Sequence, residues 1–437
     1  DTSRISTTAR HVTYRDISMT SSSSSERSRN GFDPLVMVTG DGTYFLIDNS
    51  GNTISAGYYF IDSYSGKYAP VCDYSLKWGA IDREGHEVVP LKYDDVTRFL
   101  DGAAGFGLYD YEGNLKWGVI DEAGNELVSA QYDRLDPIGS GLFLAAVNND
   151  DCGVINKNGE VVIPFEYSYS GVYLHYISNG LLQMAKVENG TFMKGFVNLE
   201  GSTIVPFEFN ILDAFSEGLA AAGNADWSGG DQNIGYIDET GTLKIPCQYT
   251  EAGRFRDGKA IVAEHGPDGG KSYSVIDASG NTLISLPYDY VNPYGFSNGL
   301  LSVGYVDGNG NKTYGVINES GEIIIPIIYD TELSFSSGLA SVRTLDEFGT
   351  YKYGFIDTNN EFVIPQDYDS AASFSCGLAP VGKRDESEAI KYGLIDTRGV
   401  LVLPLEYDKV EIIYGGRYVG VAKGNLYGFF ENPYYSG

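Results

Sequence analysis

The sequence predicts an all-β protein made of tandem repeats, each contributing three to four antiparallel strands. Three observations carry this. A phrase of about forty residues recurs about ten times along the 437-residue chain, and a fixed period of that size marks a stack of similar supersecondary units. The 34 tyrosines and 55 glycines suit strands joined by tight turns. No segment carries a helical apolar period of useful length.

One copy of the phrase reads Tyr392-Gly393-Leu394-Ile395-Asp396, Thr397-Arg398-Gly399, Val400-Leu401-Val402-Leu403-Pro404, then Tyr407-Asp408. The opening glycine recurs as Gly79, Gly118, Gly153, Gly195, Gly235, Gly315, Gly354 and Gly428, and Ser274 replaces it once. Trp or Tyr usually precedes it. Asp or Asn follows three residues later, then a turn residue such as Gly85, Gly124 or Asn360. A proline follows at Pro90, Pro164, Pro206, Pro246, Pro326, Pro365 and Pro404, with an aromatic three residues beyond it.

Each piece has a structural reading. Tyr353–Asp357 alternates and holds aromatic residues, so it reads as a strand. Asp357-Thr358-Asn359-Asn360 is a turn, with Gly in sister copies where φ is positive. The Asp or Asn that opens it can hydrogen-bond the turn backbone. Glu361–Pro365 returns as a second strand, and its proline marks an edge or a strand end. Tyr368-Asp369 begins a crossing segment, and Phe374 plugs the core beneath it. Gly377 permits a bend into a third strand, Leu378–Gly382, and a variable hairpin leads to the next Tyr-Gly. The recurrent aromatics form the spine between neighbouring units.

At Lys77-Trp78-Gly79 and Lys116-Trp117-Gly118 the phrase resembles the WG (KWG) repeat of bacterial proteins, with Tyr-Gly elsewhere in place of Trp-Gly. The resemblance covers residues from about 35 to 430. It implies β-rich repeats of the secreted or envelope-attached type and no known catalytic residues.

Two architectures fit the repeats. An open superhelical, solenoid-like array is preferred, because about ten units is many for one closed ring. The alternative is a β-propeller-like ring, with four strands per unit. Pairing of residues 11–18 with 427–430 would indicate the ring. Residues 1–30 are rich in Ser, Thr and Arg and read as a flexible N-terminal segment. Residues 31–437 read as a single repeat domain.

The formal net charge is −29. That disfavours nucleic acid and anionic membranes, both of which need exposed Lys and Arg. No stretch of about 18 apolar residues is present to span a bilayer. With no targeting segment in this chain, the reading is an extracellular or cell-envelope protein of bacterial type. Cys72, Cys152, Cys247 and Cys376 fall in different repeats and read as unpaired, buried small hydrophobes.

No catalytic constellation stands out: the four histidines fall in unrelated positions, and the recurring Asp residues read as turn formers. No cofactor is expected. Function is therefore expected in the loops that differ between copies: 148–151, 223–233, 264–272, 304–313, 343–352 and 383–391. Asp226-Trp227 lies in a Gly-rich loop where Trp is unusual, and an exposed Trp can anchor a partner. Glu264, His265 and Asp268 join two carboxylates and an imidazole. Asp307, Asn309 and Asn311 place oxygens at alternate positions, like the start of a calcium loop, but the closing bidentate Glu is missing. The reading is a non-catalytic binding or scaffold module for a protein or glycan partner. Two alternatives are a carbohydrate-active enzyme with an acidic pair and a filament subunit that self-assembles through its repeat ends.

Overall fold

The computed structural model describes residues 12–13, 18–19, 35–38, 43–47, 53–172, 177, 179–225, 232–266, 270–413, 418–424 and 426–434. Among them every regular element is a β-strand, apart from one 3-10 turn at Tyr169–Gly171. The strands form small antiparallel sheets in tandem, eight of four strands and three of three among the described residues. No ladder there passes from one sheet to the next, and each sheet stays open with two edges. The chain falls into two compact units. One holds residues 54–285, and the other holds the described residues from 286 onward with the strands at 12–13, 18–19, 35–38 and 44–47.

The sheet over residues 370–407 shows the plan. Ser370–Ala371, Leu378–Arg384, Ile390–Asp396 and Leu401–Tyr407 lie side by side in chain order. The sequence phrase and the sheet are out of step. The strand after Gly377 pairs with the following Tyr-Gly strand, Leu378 opposite Asp396 and Arg384 opposite Ile390. It does not pair with the proline strand that precedes it. Each phrase therefore straddles two sheets, although the sheet itself is one continuous stretch of chain from 370 to 407.

The opening glycine sits where the third and fourth strands lose register. Tyr392 faces Tyr407 and Leu394 faces Leu403, so four residues on one strand span two on the other. The same shift separates Trp78 from Ala80 and Trp117 from Val119. Such a bulge folds backbone inward over the residue opposite. A Cβ on Gly79, Gly118 or Gly235 would lie 2.3 Å from the carbonyl oxygen of Val89, Val128 or Ile245. Only glycine leaves room for that approach. The recurring proline occupies the bulge, where its missing N–H breaks no ladder, and the strand it bends is an edge strand, as the sequence suggested. Where Ser274 stands in for the glycine, the fourth strand is five residues long, against seven in the next sheet.

The two recurrent aromatics are cross-strand partners: Trp78 with Tyr93, Trp117 with Tyr132, Tyr353 with Tyr368. The turn between these strands is also shared. Asp396 accepts N–H groups from Arg398 and Val400 at 2.9 and 3.0 Å, and Gly399 takes φ +77°. Asn360 adopts φ +63° where the glycine is absent. These turns rest on the preceding sheet: a Cβ on Gly124 would lie 3.2 Å from Pro90, and one on Gly399 would lie 3.2 Å from Ile364. The Tyr93 hydroxyl donates to the Gly124 carbonyl at 3.3 Å, and that of Tyr329 donates to Asn360 Oδ1 at 2.7 Å.

The core lies between sheets. Phe374 is 3% exposed and packs edge-on against Phe355, with ring centroids 4.8 Å apart. Its neighbours are Ile364 and Tyr368 from one sheet and Ala379, Val381 and Ile395 from the next. Phe255 meets Tyr236 at 4.9 Å and Phe215 meets Phe196 at 5.0 Å in the same way. The expected aromatic plugs thus seal neighbours together. Removing a buried Phe of this kind costs about 3–5 kcal/mol.

A second tie crosses the same boundary through charge. Lys77 of one sheet reaches Asp94 at 2.5 Å, and the other oxygen of Asp94 accepts the Tyr109 N–H of the next sheet at 2.9 Å. Lys116, Asp133 and the Asn149 N–H repeat the arrangement. So do Lys352, Asp369 and the Arg384 N–H, and Lys391, Asp408 and the Gly424 N–H. The lysine before Trp-Gly and the aspartate after the aromatic are one clamp, at a constant separation of 17 residues. The sequence reading assigned neither residue a partner.

At the chain start, Val12 and Thr13 pair with Tyr427 and Leu426, and Ser18 and Met19 pair with Val38 and Met37. The first pairing is the one the sequence tied to a ring. Here it is a two-residue outer strand on the sheet that contains Tyr418–Lys423 and Leu426–Glu431. The rest of the 1–30 segment lies outside the described residues. No disulfide joins the four cysteines, of which Cys72 and Cys152 are buried and Cys247 and Cys376 partly so.

Two expectations test this plan. Gly118→Ala forces a Cβ against the Val128 carbonyl and lowers stability by about 2–4 kcal/mol. Gly113→Ala, at φ +84° with nothing within 4 Å, costs only about 1 kcal/mol of backbone strain. Urea denaturation of the two variants side by side separates steric from conformational cost, and equal losses would refute the close-approach argument. The clamps predict acid sensitivity. The Lys116 ammonium, then the Asn149 N–H, hold the Asp133 carboxyl below its ordinary range. As pH falls, the unfolded chain therefore takes up that proton first. The clamp's stabilisation is complete above about pH 4 and fades as pH drops through the lower folded-state value. Asp133→Asn lowers the melting temperature by about 2–4 °C at pH 7 and narrows the gap to wild type at pH 3. A gap unchanged by pH would refute the clamp.

Candidate binding surface

The loops that vary between phrases become hairpins, which join the second and third strands of the four-stranded sheets and the first and second strands of the three-stranded sheets over 181–209 and 340–368. Strand direction places them at the opposite end from the Asp-x-x-Gly turns. Within the 54–285 unit the clamps fix how neighbouring hairpins sit. Asp94 holds Lys77, from the hairpin at 72–78, and the Tyr109 backbone, which opens the hairpin at 109–115. Asp133 ties Lys116 to Asn149 in the hairpin after that. Successive hairpins in this unit are therefore side by side. Among the described residues from 286 onward, Asp369 and Asp408 do the same for the hairpins at 345–351, 384–390 and 423–426.

Several of the hairpins are built by the same local chemistry. Asp110 accepts the N–H groups of Glu112 and Asn114, both at 2.9 Å, and the Asn114 N–H is the main reason its carboxyl sits below the usual range. Asp346 accepts from Phe348 and Thr350, and Asp385 from Ser387 and Ala389. Asp307 belongs to this set. Its Oδ1 accepts the Asn309 and Asn311 N–H groups at 2.8 Å, and its Oδ2 accepts the Asn311 amide at 2.9 Å. The alternate oxygens at Asp307, Asn309 and Asn311 thus form a turn whose carboxylate faces N–H donors. Among the described residues no three His, Cys, Asp or Glu side chains are grouped to hold a metal ion.

Glu264 and His265 stand at the exposed end of the strand Lys259–His265, opposite Ser272 and Lys271. The structure brings them no closer to a common centre than strand neighbours. Asp226, Trp227 and Asp268 lie outside the described residues. No helix among the described residues is long and apolar enough to cross a membrane.

The hairpins also carry large apolar side chains that sequence reasoning passed over. Tyr111 is 96% exposed and Phe348 is 83% exposed. Tyr74, Leu76 and Tyr109 are exposed in the 54–285 unit, as are Tyr305, Leu345 and Tyr351 in the other. Tyr59 reaches Tyr74, with ring centroids 6.0 Å apart. The signal was present as an aromatic just after a turn-forming aspartate, in Asp73-Tyr74 and Asp110-Tyr111. In a chain that is 13% aromatic it does not stand out. At the Tyr351 hairpin an arginine supplies the complement. The Arg343 guanidinium lies 4.1 Å over the Tyr351 ring and 3.2 Å from Asp330. The recurring carboxylates therefore have structural work, as turn acceptors at one register and clamps at another.

Comparison with known proteins places the repeats. The family model described as "WG containing repeat" matches residues 78–114, 117–151, 153–190, 195–223, 234–266, 314–346, 353–386 and 392–427. Most matches begin in the third strand of one sheet and end in a hairpin of the next, which is the stagger between phrase and sheet. The copy in which Ser274 replaces the glycine falls outside the matches. No curated protein matches the chain. Among solved structures, a eukaryotic initiation factor shares 11% identity over 97% of this chain and 100% of that one, with a TM-score of 0.41. BamB from Moraxella catarrhalis shares 13% over 75% and 97%, with a TM-score of 0.28. The computationally designed Ika8 protein shares 14% over 79% and 98%, with a TM-score of 0.26. Likeness at this level carries no argument about this chain. The repeated match across most of its length does: the protein belongs to the family built from WG-containing repeats.

Proposed function

We propose that this WG-repeat chain is a non-catalytic binding module whose hairpins, side by side within a compact unit, present a face to a protein or glycan partner. The observation that carries the reading is the exposure of Tyr74, Tyr109 and Tyr111 on neighbouring hairpins. Large apolar groups kept in water on a rigid scaffold are costly unless a partner covers them. The scaffold itself supports the role. Glycines, prolines and clamping aspartates are spent on stacking sheets, and the hairpins are where the copies differ. We also propose Asp226 and Trp227, and Glu264, His265 and Asp268, as partner-binding residues. We place the partner on a bacterial surface or in an extracellular assembly, in keeping with the secreted or envelope type that the family resemblance implies.

The test is partner capture with the intact chain, by pull-down from surface extracts and on a glycan array. It is repeated with a variant in which residues 110–114 and 226–231 are each replaced by a two-residue turn, which keeps the strand ends Tyr109, Leu115, Ala225 and Gln232. Capture by the intact chain should fall at least tenfold in the variant, with the melting temperature unchanged. Capture that ignores both hairpins would overturn the reading.

A further inference from the structure

We infer that the paired hairpins at 72–78 and 109–115 form a docking patch for an arginine-bearing basic polypeptide. The inference rests on the binding-face reading above and names its ligand chemistry. The patch consists of Tyr59, Tyr74, Leu76, Tyr109 and Tyr111, all at least half exposed. Its two halves are held together by Asp94, which bonds Lys77 of the first hairpin and the Tyr109 N–H of the second. It is therefore built on a fixed spacing rather than on two independent tips.

Charge narrows the partner. Around the patch stand Asp73, Asp94, Asp110, Glu112 and Asp133 against Lys77 and Lys116, five formal negatives to two positives. Both lysines are already engaged, with Asp94 and Asp133. The chain as a whole carries a net charge of −29. Approach of a cation is favoured over that of an anion, and acidic surroundings speed its encounter.

The protein itself sets cations over tyrosines beside carboxylates: on a strand surface Lys383 lies 5.3 Å over the Tyr368 ring and pairs with Asp367. At the hairpin over 345–351, Arg343 stacks over Tyr351 and pairs with Asp330. A planar guanidinium meets ring face and carboxylate at once, which a lysine ammonium does less well. Neither the 72–78 nor the 109–115 hairpin contains an arginine. There the Tyr74 and Tyr111 rings are exposed, next in the chain to Asp73, Asp110 and Glu112, and an arginine from outside stacks on them. Two hairpins side by side accept successive side chains of one extended strand. The ligand is thus a polypeptide with several arginines rather than a single free amino acid.

The experiment titrates the intact protein with nona-arginine, nona-lysine and a neutral chito-oligosaccharide, by calorimetry at two salt concentrations. Nona-arginine should bind, more tightly than nona-lysine, and weaken as salt rises. Tyr74→Ala and Tyr111→Ala should each weaken nona-arginine about 3-fold, and together about tenfold. Lysine binding should change less, and melting temperature should hold because both rings are exposed. Equal binding of the two peptides, or arginine binding indifferent to both tyrosines, would overturn the inference in favour of diffuse charge attraction. Binding of the oligosaccharide but not of nona-arginine at these tyrosines would overturn it while leaving the binding face intact. Loss of all hairpin-dependent capture in the previous experiment would remove the binding face itself.

Discussion

The close passage of one strand's carbonyl over a bare glycine organises everything else. In each regular sheet the fourth strand bulges inward opposite the opening glycine, to within 2.3–2.7 Å of where a Cβ would be. The bulge slips the register, and the slip sets Trp or Tyr of the third strand opposite Tyr of the fourth. That places the tyrosine hydroxyl against the next sheet's turn and the following aspartate at the sheet boundary. A side chain at the glycine would push the fourth strand outward and displace the proline, the tyrosine and the clamp together. The family's defining dipeptide is thus a steric requirement with an aromatic attached.

Stability then accumulates at boundaries rather than within sheets. A four-stranded sheet of this size has two apolar faces and cannot bury both alone. Phe374 and its equivalents fill the gap between neighbours, and the lysine–aspartate clamps close the same gap at the hairpin end. The clamps are exposed on one side, so each adds little by itself. Their value is positional, since one carboxylate fixes a lysine on one sheet and a backbone N–H on the next. Each structural unit gains a fixed spacing between hairpins that are otherwise free to vary.

That division of labour bears on the chemistry of the surface. The carboxylates that make this chain so acidic are largely occupied in turns and clamps, which is why they recur once per unit instead of converging on one centre. The aromatics divide in two. Those beside the bulge are cross-strand partners and those in the crossing segment are plugs, while those at the hairpins stand in water. The separation of roles by register, not by residue type, is what makes the hairpins the place for recognition.

The sequence by itself determined the period, the all-β class, the Asp-led turns, the plug at Phe374 and the family, because each depends on local spacing that repeats in register. It also placed variation in the hairpins. Only the tertiary structure decided how phrases map onto sheets, since the partner of Leu378–Arg384 is chosen by hydrogen bonding across a hairpin rather than by the pattern. It alone joined Lys77 to Asp94 and Tyr109, a contact across a sheet boundary that no single strand encodes. It separated Tyr111 from Tyr132, identical residues of two successive phrases that share one sheet. One lies beyond a turn in solvent, and the other faces Trp117 across a buried ladder. Exposure belongs to the packed array, and no period in the chain records it.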